Sequence, residues 1–178
     1  MKPYVDIIRG MDIAPGMVAQ YNKRAHEASV SEMAMFAVQG DLLAPSQTIS
    51  TPDLLGFDLA ISSMALHHFP DPEETLSALV SRLKPGGTVA VIDWAPEHGN
   101  IPWGKSEHEA THTIHKDARS ILLWQSVLPM LGRAGCDLST AYYAVMGEKS
   151  HMPEEGTKVP GGVYTNGFIA FAKKKKTD

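Results

Sequence analysis

The sequence predicts an α/β fold: a three-layer sandwich with helices on both faces of a mostly parallel sheet, closed by a C-terminal antiparallel hairpin. Three observations carry this. Apolar, β-branched runs alternate with segments of helical spacing along the first half of the chain. The run from Phe57 to Trp94 (FDLAISSMALHHFPDPEETLSALVSRLKPGGTVAVIDW) reads as buried strand, polar loop, amphipathic helix, Gly-rich stop and buried strand. That is one crossover unit of a parallel sheet. The last part of the chain holds two strand-like runs with no helix between them, as a closing hairpin requires.

Taken in order, Tyr4 to Ile13 carries a short strand ending at Asp12, and Pro15 and Gly16 open a helix in which Met17, Val18, Tyr21 and Ala25 share one apolar face. Met33 to Val38 is a second strand, closed by Gly40 and Asp41 and followed by a Pro/Ser/Thr-rich loop over 43–54. Phe57 to Ser63 is a third strand, nearly all apolar, as expected when both its faces are covered. Asp71 caps the next helix, Pro72 suits its first position, and Glu74 completes an Asp-x-x-Glu capping box. Lys84 to Gly87 ends that helix, and Thr88 to Asp93 is the fourth strand. Asp117 to Ala134 is helical, with Ile121, Leu122, Val127, Leu128 and Leu131 inward and Pro129 expected to kink or split it. Leu138 to Met146 and Gly162 to Ala172 form the closing pair of strands, joined by a polar loop over 147–161.

A chain of 178 residues with 43% hydrophobic and 20% charged content suits one domain over 1–178. The net charge of −4 gives no basic face for nucleic acid, and the one basic run, Lys173 to Lys176, reads as part of a solvated tail over 173–178. Cys136 is alone, so no intrachain disulfide forms, and its apolar setting reads as packing. No signal-peptide core or membrane span is present, which points to a soluble, cytoplasmic protein.

Acidic residues end the first two strands. A carboxylate at such a position can accept both hydroxyls of a ribose, but Asp12 can equally cap the helix that follows it. Asp41 is placed in the same way. At the end of the third strand, Ser62, Ser63, His67 and His68 lie where open α/β sheets place their ligands. Asp93 and Trp94 end the fourth strand and are secondary candidates for an acceptor pocket.

The segments GMDIAPGMVAQYNKRA, FAVQGDLL and ISSMALHHFPDP resemble class I S-adenosylmethionine-dependent methyltransferases of the type 11/12 kind, from about Tyr4 to Ile92 and more loosely beyond. The resemblance implies a Rossmann-like methyltransferase sandwich and S-adenosyl-L-methionine as cofactor. It carries Asp12 over as the ribose acid, Ile13 and Met17 as adenosine contacts, and Asp41 and Leu42 as adenine contacts. Ser62, Ser63, Met64 and His67 fall in the loop bordering the methionine moiety and the acceptor. His67 or His68 is then the candidate general base. The acceptor is expected to be a small molecule, with neither nucleic acid nor membrane as partner.

The family's first strand and its Gly-rich turn have no counterpart ahead of Asp12. In the family's strand order, 3-2-1-4-5-7-6, that strand is central. Its loss is expected to leave two open strand edges unless strands two and four pair directly or another element fills the gap. The sequence therefore reads as an N-terminally truncated methyltransferase domain, and impaired activity is an expectation that goes with that reading.

His108, Glu109 and His112, with His115 beyond, match a His-Glu-x-x-His zinc pattern. So short a pattern is met by accident in a chain with 8 His, and no metal is expected. Two other readings stand beside methyl transfer. A nicotinamide-dependent oxidoreductase also uses an acid for ribose, but no Tyr here is followed by Lys four residues on. A non-catalytic methyltransferase remnant acting as an interaction module needs no intact site.

Overall fold

The computed structural model describes residues 4–44, 54–95, 124–152 and 163–176. The chain divides into two compact units, Met1–Leu55 and Gly56–Asp178. The first holds strand β1 (Ile8–Asp12), helix α1 (Pro15–Glu27) and strand β2 (Met35–Gln39). The second holds β3 (Phe57–Ser63), α2 (Pro72–Ser81), β4 (Leu83–Trp94), α3 (Trp124–Arg133), β5 (Cys136–Met152) and β6 (Val163–Lys174).

In the first unit β1 and β2 pair in parallel, Gly10 opposite Ala37 and Asp12 opposite Gln39. Gly10 sits where the two strands are crowded: a Cβ there would lie 3.1 Å from that of Ala37. Of the apolar face expected on α1, Ala25 is buried and Val18 and Tyr21 are half-buried, but Met17 is exposed. Asn22 closes the outer side of β2. Its Nδ2 donates to the Ala37 carbonyl (3.0 Å) and its Oδ1 accepts the Ala37 N–H (2.7 Å), so the side chain stands in for a neighbouring strand.

In the second unit the sheet order is β3-β4-β6-β5, with β3 parallel to β4 and the other pairs antiparallel. These orders match the 4-5-7-6 and 2-3 parts of the strand order that the resemblance implies. Among the described residues β1 pairs only with β2, and β3 only with β4.

The core lies on one face of the larger sheet. Val89, Val91, Phe168, Ala170 and Ala172 are buried there with Leu76 and Val80 of α2 and Val127 and Leu131 of α3. Each fully buried Val, Leu or Phe side chain contributes about 1.5–3 kcal/mol. On β3 the sequence expectation of two covered faces is corrected, because Leu59 and Ile61 are 46% and 50% exposed. Both described helices of this unit pack on the Val89/Val91 side, so the alternate side chains of β3 stay open. Cys136 is buried, and that burial pushes its thiol pKa up, which fits a packing role.

Local chemistry sets the element ends. The Asp71 carboxylate accepts the Glu74 N–H at 2.8 Å, as the capping box requires. Asp71→Ala should lower the unfolding free energy of this unit by about 1 kcal/mol, read as a lower urea midpoint; an unchanged midpoint would mean that the cap contributes nothing. Arg133 bonds Glu73 at 2.7 and 2.8 Å, joining α3 to α2 and holding the Glu73 carboxyl below the usual carboxylate range.

Three boundaries differ from the sequence reading. Lys84 to Gly87 is not a loop before the strand but an irregular stretch inside β4: the register passes from Phe57 opposite Leu83 to Leu59 opposite Thr88, with Gly86 at φ 80°. β5 runs on to Met152, through what was read as the start of a loop. The basic run starts inside β6, and the Lys174 Nζ donates to the Leu83 carbonyl at 2.8 Å and the Ser81 carbonyl at 3.4 Å, at the C-terminal end of α2. Pro129 lies within α3, which is continuous from Trp124 to Arg133. Among the described residues no helix is long and apolar enough to cross a membrane.

Candidate functional site

The first unit brings its predicted residues to one end of its sheet. β1 ends at Asp12, whose carbonyl accepts the Gly40 N–H at 3.0 Å, so the β2 end and Asp41 follow directly beside it. The Asp12 Oδ1 accepts the Ala14 N–H at 2.8 Å, turning the chain into α1. The helix's own N-cap is Ala14, which has no side-chain cap bond, so Asp12 turns the chain ahead of α1 and does not cap it. Asp41 makes the same kind of turn, its Oδ1 accepting the Leu43 N–H at 2.9 Å. Gln39 ties the two strand ends together, its Nε2 donating to the Ile13 carbonyl at 3.3 Å.

This end presents a half-buried carboxylate at Asp12, an exposed one at Asp41, and exposed apolar side chains at Ile13 and Met17, with Leu42 half-buried. An adenosine needs an acceptor pair for ribose hydroxyls and apolar surface for the base. The donor and acceptor types present fit that group.

The second unit brings Ser62, Ser63, Met64, His67 and His68 to the C-terminal end of β3. Ser62 is buried and Ser63 exposed. Met64 extends the β3–β4 ladder by one bond, its N–H donating to the Ile92 carbonyl at 2.8 Å. Its φ of 52° is left-handed, a strained conformation for a Met side chain. That turn redirects the chain into the 3-10 turn Leu66–His68.

The 3-10 turn places His67 on Asp93, the penultimate residue of β4. Asp93 is fully buried and His67 is 8% exposed. The His67 Nδ1 and Asp93 Oδ1 are 2.6 Å apart, the His67 backbone N–H donates to Asp93 Oδ2 at 3.3 Å, and the Trp94 N–H donates to Oδ1 at 2.8 Å. A carboxylate only accepts, so the shared proton belongs to Nδ1. The short distance is that of a charge-assisted bond. The His68 ring lies against that of His67, centroids 3.9 Å apart, with His68 itself exposed.

The sequence marked His67 and Asp93 separately and did not pair them. The usable signal was the parallel register: β3 ends at Ser63 opposite Ile92, so the residues that follow Ser63 pass beside Asp93, the next residue of β4. The His108–His115 segment lies outside the described residues. Among the described residues no group of three or more His, Cys, Asp or Glu side chains is arranged to hold a metal.

A protein family described as a methyltransferase domain matches residues 2–89. Among solved structures, the YcgJ protein of Bacillus subtilis is similar with a TM-score of 0.64 at 15% identity, over 98% of this chain and 85% of that one. A putative methyltransferase of Bacillus halodurans gives 0.63 at 16% identity, over 98% and 85%. An S-adenosylmethionine-dependent methyltransferase of Methanosarcina mazei gives 0.61 at 13% identity, over 95% and 82%. At these identities the likeness establishes the fold.

Proposed function

Because this chain belongs to the methyltransferase domain family through residues 2–89 and has the class I methyltransferase fold, we propose that it transfers the methyl group of S-adenosylmethionine to a small-molecule acceptor. The family match is the observation that carries this reading. Membership implies use of the cofactor; the acceptor class and the residue roles are the proposal.

Asp12 is assigned to the ribose hydroxyls, with Ile13, Met17, Asp41 and Leu42 assigned to the adenosine. Ser62, Ser63, Met64 and His67 are assigned to the reacting end. The bound cofactor supplies an already activated methyl group, so the chain's own work is orientation and proton handling. In-line alignment of nucleophile and methyl carbon supplies much of the rate. Of the two candidate bases, His67 is preferred over His68 because a buried carboxylate fixes its ring.

Calorimetry with S-adenosylhomocysteine on the full chain tests the reading. Binding that nicotinamide dinucleotide does not compete away supports it; competition by the dinucleotide, or no binding, overturns it and favours the oxidoreductase or the remnant. Asp12→Ala should weaken S-adenosylhomocysteine by about tenfold to a hundredfold, since hydrogen bonds to a charged group contribute about 1.5–3 kcal/mol. Unchanged affinity would remove Asp12 from the site.

A further inference from the structure

We propose that Asp93 is the positioning residue of this site: it holds His67 in the tautomer that makes Nε2 a base, and the acceptor is a nucleophile that must lose a proton, a hydroxyl or an acidic carbon. The inference rests on the methyl-transfer reading above and adds to it a residue and a substrate class.

The argument starts from the cost of the arrangement. A fully buried carboxylate is kept in a fold only where donors compensate its lost hydration. Here two backbone N–H groups and one imidazole N–H do so. The two backbone donors hold the carboxylate in place at the end of β4, and the carboxylate in turn fixes the ring of His67. Because Nδ1 carries the proton toward Asp93, the accepting nitrogen of the neutral ring is Nε2. When Nε2 takes a proton, the imidazolium sits 2.6 Å from a negative charge and is stabilised as it forms.

The backbone bonds of Asp93 serve the fold, but a structural tie between the two strand ends could be made by neutral groups. The rest of the β4 interior is filled by Val89 and Val91, which need no partner. The ion-pair geometry instead suits a group whose charge changes during a reaction.

The proton balance then selects the acceptor. The acceptor's X–H bond breaks and its proton goes to Nε2. The electron pair left on X attacks the methyl carbon of the sulfonium donor, the carbon–sulfur bond breaks, and its pair stays on sulfur as a neutral thioether. The proton on His67 is released to solvent afterwards. A neutral amine attacks through its lone pair, and a thiol ionises readily by itself, so neither requires a base held in this way. Hydroxyls and carbon acids do.

The test uses the full chain labelled with nitrogen-15 and long-range proton–nitrogen correlation of the imidazole rings, with the His67 signal identified by its loss in His67→Gln. The expected result is a neutral ring protonated on Nδ1 and bare on Nε2. A ring protonated on Nε2 overturns the proposal whatever the activity. Asp93→Asn, which keeps size and one acceptor oxygen, should lower kcat by about a hundredfold to ten-thousandfold with KM for the methyl donor within about twofold. A kcat within about twofold of wild type in a folded Asp93→Asn protein also overturns it. Binding of S-adenosylhomocysteine to wild type reports on the underlying reading separately: its absence sinks methyl transfer, while its presence with the wrong tautomer sinks only the role of Asp93.

Discussion

Replacing Asp93 with leucine should lower the unfolding free energy of the second unit by about 3–5 kcal/mol, the usual result of removing one partner from a buried charged pair. Leucine has nearly the same reach but no acceptor. The Trp94 N–H, the His67 N–H and the His67 ring would each lose the oxygen they now bond. Asp93 is fully buried, so water does not take its place without a rearrangement. Domains are stable by only about 5–15 kcal/mol, so the loss shows as a large drop in urea midpoint, or as failure to purify folded protein. Asparagine at the same position should be far milder, because one oxygen remains. Equal stability of the leucine variant and wild type would mean that the three donors find other partners, and the pair would then not hold the β3 and β4 ends together.

Phe168→Ala should cost a similar amount, about 3–5 kcal/mol, for a different reason. Its ring is the largest fully buried side chain of the core. It stacks on Tyr143 with centroids 5.0 Å apart, in a cluster with Val89, Val91 and Leu131. Truncation leaves a cavity between a sheet and two helices, none of which can close it without breaking its own packing. Leu59→Ser, on the open side of β3, provides the contrast and should stay within about 0.5 kcal/mol. Denaturant titration of the three proteins in parallel checks both claims. A Phe168→Ala midpoint no lower than that of Leu59→Ser would mean that the core has been placed on the wrong face of the sheet.

What the sequence disclosed was mostly local. The capping box at Asp71 and Glu74 and the bounds of the strand Phe57–Ser63 are each written within a dozen residues, and each is present as read. Features that depend on partners elsewhere were harder. An apolar run such as FDLAISS cannot say which of its faces will be covered, and Leu59 and Ile61 were misread for that reason. A polar stretch such as Gly147 to Met152 can still be a strand, because β5 is an edge whose pairing with β6 requires backbone rather than apolar side chains. The Pro-Gly-Gly segment at Pro85 signalled a stop, yet the chain absorbs it as an irregularity inside β4.

The candidate site divides along the same line. Asp12 and Asp41 are legible because a strand end followed by a turn residue is a short-range pattern. The pairing of His67 with Asp93, 26 residues apart, is set by the parallel register and by the left-handed turn at Met64. Nothing in the local sequence of either residue states it.

Asn22 gives the small β1–β2 sheet a direction. A strand joining β2 at Ala37 would have to displace both bonds that the Asn22 amide makes there. On the other side of β1 no ladder partner is present among the described residues. At Ala37 a single side-chain amide occupies the edge that a further strand would use.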